Sequence, residues 1–332
     1  MGNSENCVDL NLKSTSEFLK KNDNYIILTH ASPDGDTLGA AYALYYGLKQ
    51  LNKKVEVICP DLIPGKYSYF AAETDHVKRE NAVIVAVDVA AKQLLGSLEE
   101  AFGDLVDLNI DHHVSNNRYA KLLLLDADAS ATCEIIYELL LLLKIKINDV
   151  IAKALYTGIS TDTGCFKYSS VTAKTHRIAS ELYAYNIEAD RINKIMFDTK
   201  TKSIMTLERM VLDTAEYHFD DKCMMLAITA DMQEKTGCSG PDLEGITVIS
   251  RCVEGVIAGV TIKQTGSGTF KVSLRTYEPL DASEICKKLG GGGHKNAAGT
   301  TLCGNLKEIK VQILEAVKQN MEEKNVWPSS AQ

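Results

Sequence analysis

Short, nearly continuous apolar runs that each stop at an ionisable residue constrain this chain most. Tyr25-Ile26-Ile27-Leu28 leads into His30, Val83-Ile84-Val85-Ala86-Val87 into Asp88, and Asp107-Leu108-Asn109-Ile110 into Asp111-His112-His113. Val55-Glu56-Val57-Ile58-Cys59 is a further run. Runs of this kind fit strands buried on both faces. Between two of them, Leu38, Ala41, Leu44, Tyr45, Leu48 and Leu51 form one apolar stripe, which predicts a helix over residues 37–52. The alternation implies an α/β fold, a parallel sheet with helices on both faces. Ligands of such sheets sit beyond the carboxyl ends of the strands. His30, Asp88 and Asp111-His112 all fall there.

The residue types at those ends point to one chemistry. Thr29-His30-Ala31-Ser32-Pro33-Asp34-Gly35-Asp36-Thr37-Leu38-Gly39 packs a His and two Asp between a strand and a helix. Asp162-Thr163-Gly164 ends a second helical pattern that starts near Asn148 and carries Ala152, Leu155, Tyr156 and Ile159 on one face. Hard divalent cations take carboxylate oxygens, and imidazole adds affinity for transition metals. Each piece has a plainer reading. Asp34 and Asp36 cap a helix, Asp88 caps a strand end, His112-His113 is a surface turn, and Asp162 closes a helix. Taken singly those readings suffice, but they leave the joint pattern unexplained. A two-metal hydrolase acting on phosphate explains it. Because neighbouring strand residues face opposite ways, one His of the pair is expected to be a ligand while the other faces substrate or a supporting acid.

Beyond residue 126 the pattern changes. Ser130 reads as a helix N-cap, with Glu134 and an apolar run after it. Helical patterns follow over 172–186, 188–196 and 202–214. Strand patterns occupy 223–229, 256–263 and 269–276, with Thr265-Gly266-Ser267-Gly268 turning between the last two. A short helix spans 283–289 and a longer one 306–324. This organisation implies a catalytic domain over residues 1–197, a helical linker over 198–216 and a smaller α/β domain over 217–325. Gly290-Gly291-Gly292-Gly293 reads as a flexible turn whose amides can approach an anion closely. His294 and Lys295 follow as phosphate donors, and Arg275 ends a strand that can face the same site.

The net charge of −8 argues against broad attachment to nucleic acid or to an anionic membrane. Nine cysteines without a Cys-x-x-Cys, and a start that is neither basic nor apolar, lead to the expectation of a cytoplasmic protein with reduced thiols.

On these residues the chain resembles the DHH phosphoesterase superfamily along nearly its whole length. His30-x-x-x-Asp34-x-Asp36 looks like its first motif, Asp88 its second, Asp111-His112-His113 its third and Asp162 its fourth. Gly290-Gly291-Gly292-Gly293-His294 with Ala297-Ala298-Gly299 looks like the signature of the associated C-terminal substrate domain. The resemblance implies that His30, Asp34 and Asp88 hold one cation, that Asp36, Asp88, His112 and Asp162 hold the other, and that Asp88 bridges. It implies Mn²⁺ as the ion, with Mg²⁺ the alternative, and catalytic roles for Asp111 and for His113, which would meet the scissile phosphate. Arg275, Gly291, Gly292, Gly293, His294 and Lys295 would grip another phosphate or the nucleotide end, with cleavage between the domains.

The size and domain content are similar to the branch that degrades short oligoribonucleotides, dinucleotides such as pApA, and 3′-phosphoadenosine 5′-phosphate. The expected partners are therefore short single-stranded RNA or a nucleoside bisphosphate, with no long duplex and no membrane; homodimerisation is left open. A phosphodiesterase dedicated to cyclic di-AMP turnover and a catalytically inactive nucleotide-binding regulator are the alternatives. Lys295-Asn296 stands where Pro-Arg is frequent in the superfamily, and Lys295 is expected to replace that Arg in part as a point charge.

Overall fold

The computed structural model describes residues 7–327, which divide into two compact units between Thr199 and Lys200. In the first, β1 (Val8–Asp9), α1 (Leu12–Lys21), β2 (Asn24–Leu28), α2 (Gly35–Gln50), β3 (Lys54–Ile58) and β4 (Val83–Val87) are followed by α3 (Glu99–Phe102), β5 (Leu108–Asp111) and β6 (Leu122–Leu125). Then come α4 (Thr132–Leu142), α5 (Asp149–Asp162), α6 (Ala173–Leu182) and α7 (Ala189–Asn193). The six strands form one sheet in the order β1-β6-β5-β4-β2-β3, with every pairing parallel. The sequence predicts four of these strands within a residue of their observed ends. The other two, β1 and β6, lie together at one edge.

The alternation of side chains assigns each face its cover. Tyr25, Ile27, Val85, Val87, Leu108 and Ile110 pack against α2, α4 and α5 in the larger core. Ile26, Leu28, Ile84 and Ala86 point the other way and meet Leu95, Leu98 and Phe102, from the 3₁₀ turn Lys92–Leu98 and α3. Helices thus lie on both faces, thick on one and short on the other. The α2–α5 contact is unusually close because glycines form it. A Cβ on Gly39 would stand 2.4 Å from the Ala154 carbonyl oxygen, and one on Gly35 2.3 Å from Thr161 Oγ1. That approach carries the start of α2 to the end of α5, where Asp36 and Asp162 stand.

The second unit contains α8 (Lys202–Leu212), β7 (Glu216–His218), β8 (Cys223–Ile228), α9 (Ala230–Thr236), β9 (Ala258–Gly266), β10 (Thr269–Thr276), α10 (Ala282–Lys288), β11 (Gly292–His294), β12 (Ala297–Cys303) and α11 (Leu306–Glu323). Its sheet runs β11-β12-β10-β9-β8-β7, with β8–β9 parallel and the other pairings antiparallel. Helices α10 and α11 cover one face, and Leu207 and Val211 of α8 join Met224, Leu226 and Ile228 on the other.

Two expectations are corrected here. The glycine run is not a free turn. Gly292, Gly293 and His294 form the edge strand β11 opposite Gly299, Ala298 and Ala297. The amides of Gly290 and Gly291 close the end of α10 on the Lys287 and Cys286 carbonyls, so they are not offered to an anion as a nest. A Cβ on Gly291 would stand 2.3 Å from the Gly299 carbonyl oxygen, so close strand approach rather than flexibility requires glycine there. Ser130 is likewise not the N-cap of α4. Ala131 holds that position without a side-chain cap, and the helix end is capped from α2 instead.

Candidate metal centre

The fold brings His30, Asp34, Asp36, Asp88, His112 and Asp162 together at the carboxyl edge of the parallel sheet. Three overlapping donor sets have all their ligand atoms within 4.8 Å of one another: His30, Asp34 and Asp88; Asp36, His112 and Asp162; and Asp88, His112 and His113.

Each side chain is fixed by its own neighbourhood. The His30 Nδ1 lies 2.8 Å from the Ala31 carbonyl oxygen. A carbonyl only accepts, so Nδ1 carries hydrogen and Nε2 is the atom turned to the carboxylates. That Nε2 is 3.6 Å from Asp34 Oδ1 and 3.7 Å from Asp88 Oδ2. His112 repeats the device, with Nδ1 3.1 Å from the Ala129 carbonyl oxygen, and Nε2 3.6 Å from Asp88 Oδ1 and 3.4 Å from Asp162 Oδ2. Its Nε2 is buried and has no hydrogen-bond partner. A buried donor or acceptor left unmade is costly. A cation accepted by two carboxylates and an imidazole lone pair would satisfy it, and anchoring the second ring nitrogen is how ligating histidines are usually held. The donor set therefore fits a divalent cation.

Asp34 caps α2, its Oδ1 accepting the amides of Asp36 at 2.9 Å and Thr37 at 3.1 Å. Asp36 is almost fully buried and caps α4: Thr132 N–H donates to its Oδ2 at 2.6 Å and Cys133 N–H to its Oδ1 at 3.0 Å. Asp88, also buried, has φ +59, a left-handed conformation uncommon outside glycine. Such strain persists only where surroundings over-determine it, and it clusters at functional sites. Asp162 is the last residue of α5.

The electrostatics are those of a crowded anionic site. Burial pushes the Asp162 carboxyl up to about 7; His112 opposes this and the charges of Asp88 and Asp34 add to it. Asp36 is raised too, by burial and then by Asp88, Asp162 and Asp34. Burial opposes the charge on His30, but Asp34 and Asp88 outweigh it and push the imidazole up to about 11. Like charges in one pocket favour protonation or an added cation.

Asp111 and His113 sit beside this cluster. The Asp111 carboxylate is fully buried and spent internally: Oδ1 accepts from the amides of His112 and His113 and from His113 Nδ1 at 2.8 Å, and Oδ2 accepts from Asn116 Nδ2 at 2.6 Å. It holds the Asp-His-His turn. His113 is the more exposed of the pair.

Arg275, Gly291, Gly292, Gly293, His294 and Lys295 all belong to the second unit. Register puts Arg275 opposite Ala297, and Ala297 opposite His294. Residues in register on neighbouring strands share a face, so Arg275 and His294 flank a small alanine across strands spaced roughly 4.8 Å apart. Lys295 is exposed and pairs with Glu278 at 3.0 Å.

Sequence reading missed Thr132, whose Oγ1 donates to Asp88 Oδ1 at 2.9 Å, and Asn116, which braces Asp111. It also missed Gly158. Thr and Asn beside an acidic turn carry no signal of their own, whereas a glycine inside an apolar helix is a mark of close approach that could have been read.

The DHH family N-terminal domain matches residues 24–159, and the DHHA1 domain matches residues 247–323. The bifunctional oligoribonuclease and PAP phosphatase NrnA of Thermus thermophilus is 33% identical over 93% of this chain and 94% of its own length. The Bacillus subtilis protein of the same description is 26% identical over 84% of this chain and 90% of its own. Among solved structures, an exopolyphosphatase-related protein from Bacteroides fragilis superposes with a TM-score of 0.81 at 24% identity, covering 94% of this chain and 95% of that one. The exonuclease RecJ bound to manganese superposes with a TM-score of 0.51 at 16% identity, covering 92% and 94%. Those two likenesses are of fold. Its two domain matches, in the order the motifs require, and a relative one-third identical along nearly its whole length establish that the chain belongs to the DHH family.

Proposed function

We propose that this chain is a divalent-metal phosphoesterase that hydrolyses short oligoribonucleotides, dinucleotides such as pApA, and 3′-phosphoadenosine 5′-phosphate to mononucleotides. Asp88 carries the reading. One buried carboxylate turns Oδ2 to His30 and Oδ1 to His112, each near 3.7 and 3.6 Å. That arrangement suits a bridge between two cations, with His30 and Asp34 completing one donor set and Asp36, His112 and Asp162 the other. Mixed imidazole and carboxylate donors favour Mn²⁺ over Mg²⁺. When bound, such cations would neutralise charge growing on the phosphoryl oxygens and make water a better nucleophile at neutral pH.

The chain's own groups do the rest. Asp111 fixes His113 through Nδ1, which leaves Nε2 to donate to a phosphate oxygen. Burial opposes its protonation, but the Asp111 bond and the Asp88 charge outweigh that and push His113 up to about 9 in the metal-free protein. In the second unit Arg275 and His294 supply paired donors for a further phosphate, and the side-chain-free surface of Gly291, Gly292 and Gly293 lets a nucleotide lie close. Lys295 adds a point charge once released from Glu278. The two NrnA relatives are named for both activities, and the extent of the likeness supports both substrates here.

The test is release of AMP from pApA and from 3′-phosphoadenosine 5′-phosphate by purified protein, with Mn²⁺ and with a chelator. Metal-dependent release from both supports the reading; metal-dependent binding without release would replace it with a nucleotide-binding regulator.

A further inference from the structure

One short turn touches three of the six residues read above as ligands. The carbonyl of Ala129 takes the His112 Nδ1 hydrogen at 3.1 Å. The side chain of Thr132 donates to Asp88 Oδ1 at 2.9 Å. The amides of Thr132 and Cys133 hold both oxygens of Asp36, at 2.6 and 3.0 Å. The turn has its own anchor, since the buried Ser130 hydroxyl reaches Glu134 Oε1 at 2.5 Å and Thr175 Oγ1 at 3.1 Å. Thr132 is fully buried, so it cannot meet substrate and acts only through what it bonds.

Resting on the reading of this cluster as a two-cation site, we propose that Thr132 is a positioning residue of the metal centre: its hydroxyl fixes the Asp88 carboxylate while its amide fixes Asp36, so the turn 129–133 sets three ligands as one unit. The need for such a brace is electrostatic. Asp36, Asp88 and Asp162 repel one another before any cation arrives, and carboxylates in that state splay apart or take up protons. Donors held by a rigid helix start counter this without offering a competing ligand. A threonine suits the place because branching at Cβ limits χ1 to few rotamers and so limits where Oγ1 can stand, while the hydroxyl hydrogen is free to turn to Asp88. Groups that orient ligands in this way typically change metal affinity by about 10–100-fold when removed.

The experiment is a Mn²⁺ titration of metal-free protein, read by the electron paramagnetic resonance signal of free Mn²⁺. Thr132→Val keeps the shape and removes the donor, Thr132→Ala removes both, and Thr132→Ser keeps the donor. Valine and alanine should each weaken Mn²⁺ uptake by about 10-fold or more, and serine should restore most of it. Thermal unfolding of the metal-free valine variant should stay close to wild type, which separates positioning from a packing defect; if valine unsettles the fold, the alanine variant carries the comparison. Unchanged Mn²⁺ uptake in the valine and alanine variants would overturn the proposal, as would a serine variant as weak as valine. Wild-type protein that takes up no Mn²⁺ would overturn the metal-centre reading itself, a different failure from this one.

Discussion

Gly158 lies so close to Asp36 that a Cβ built on it would stand 2.7 Å from the carboxylate Oδ1 and 2.2 Å from Cys133 Sγ. The absence of a side chain in the middle of α5 is what lets the Asp36 carboxylate reach the start of α4. Gly158→Ala should therefore push Asp36 off its cap. We expect a loss of about 1–3 kcal/mol in unfolding free energy from overpacking, with weaker Mn²⁺ uptake and reduced turnover beyond that loss. Denaturant unfolding and metal titration of the variant check this; a variant with both unchanged would mean that α5 can retreat without cost.

Asp88→Ala should abolish turnover while leaving the fold intact. It removes the carboxylate proposed to bridge the two donor sets. It relieves like-charge repulsion on Asp36 and Asp162 but also removes a counter-charge of His30 and His113 and the acceptor of the Thr132 hydroxyl, so the metal-free variant should unfold close to wild type. Rate and thermal unfolding of purified protein measure the two parts. Near-wild-type rates with Mn²⁺ would reject the bridge.

Stability of the metal-free protein should fall as pH rises from about 4 to about 7. Asp162 and Asp36 have folded values raised above the ordinary carboxylate range. In that window the folded state holds protons that the unfolded chain has given up, so raising the pH favours unfolding. His30 and His113, raised to about 11 and about 9, extend the same trend above neutrality. Asp34 and Asp111 are lowered, and their contribution is complete once the pH exceeds the ordinary carboxylate value. Bound Mn²⁺ should flatten the slope, and its uptake should strengthen with pH and release protons, because ligands must be deprotonated. Denaturant melts across this range, with and without Mn²⁺, decide the sign.

Arg275→Ala and His294→Ala should weaken hydrolysis of dinucleotides more than that of a small artificial phosphodiester. Loss of a charge-assisted phosphate contact costs about 1.5–3 kcal/mol, which falls only on substrates long enough to use it. The ratio of the two rates in each variant is the readout. Equal losses on both would assign these residues to the stability of the second sheet instead.

How far the sequence reveals this molecule follows from where each signal resides. Strands β2, β3, β4 and β5 are legible because burial on both faces demands continuous apolar runs, and α2 because its stripe is long. The two-residue β1 is too short to carry a pattern. In β11, Gly292 and Gly293 contribute no strand propensity, so a paired edge reads as a turn. The candidate donors His30, Asp88 and His112 are legible from their positions just past strand ends, and Asp34 and Asp36 from the turn that opens α2. The support around them is not, because Asp36 caps a helix that begins 96 residues away and no local pattern records the pairing. Ser130 misleads for the same reason: a good capping residue stands one place before the true cap while its hydroxyl serves Glu134.

Hydrolysis of very short nucleotides at a Mn²⁺ centre should show in how the rate depends on substrate length. An acidic chain of net charge −8 offers little attraction to a long trailing strand, because extended binding needs Lys and Arg along successive phosphates. Initial rates should be measured on single-stranded RNA of increasing length at fixed salt and Mn²⁺. Rates should be highest on the shortest oligonucleotides, fall steeply for long strands and be negligible on duplex. Rates that hold level or rise toward long strands would contradict that reading.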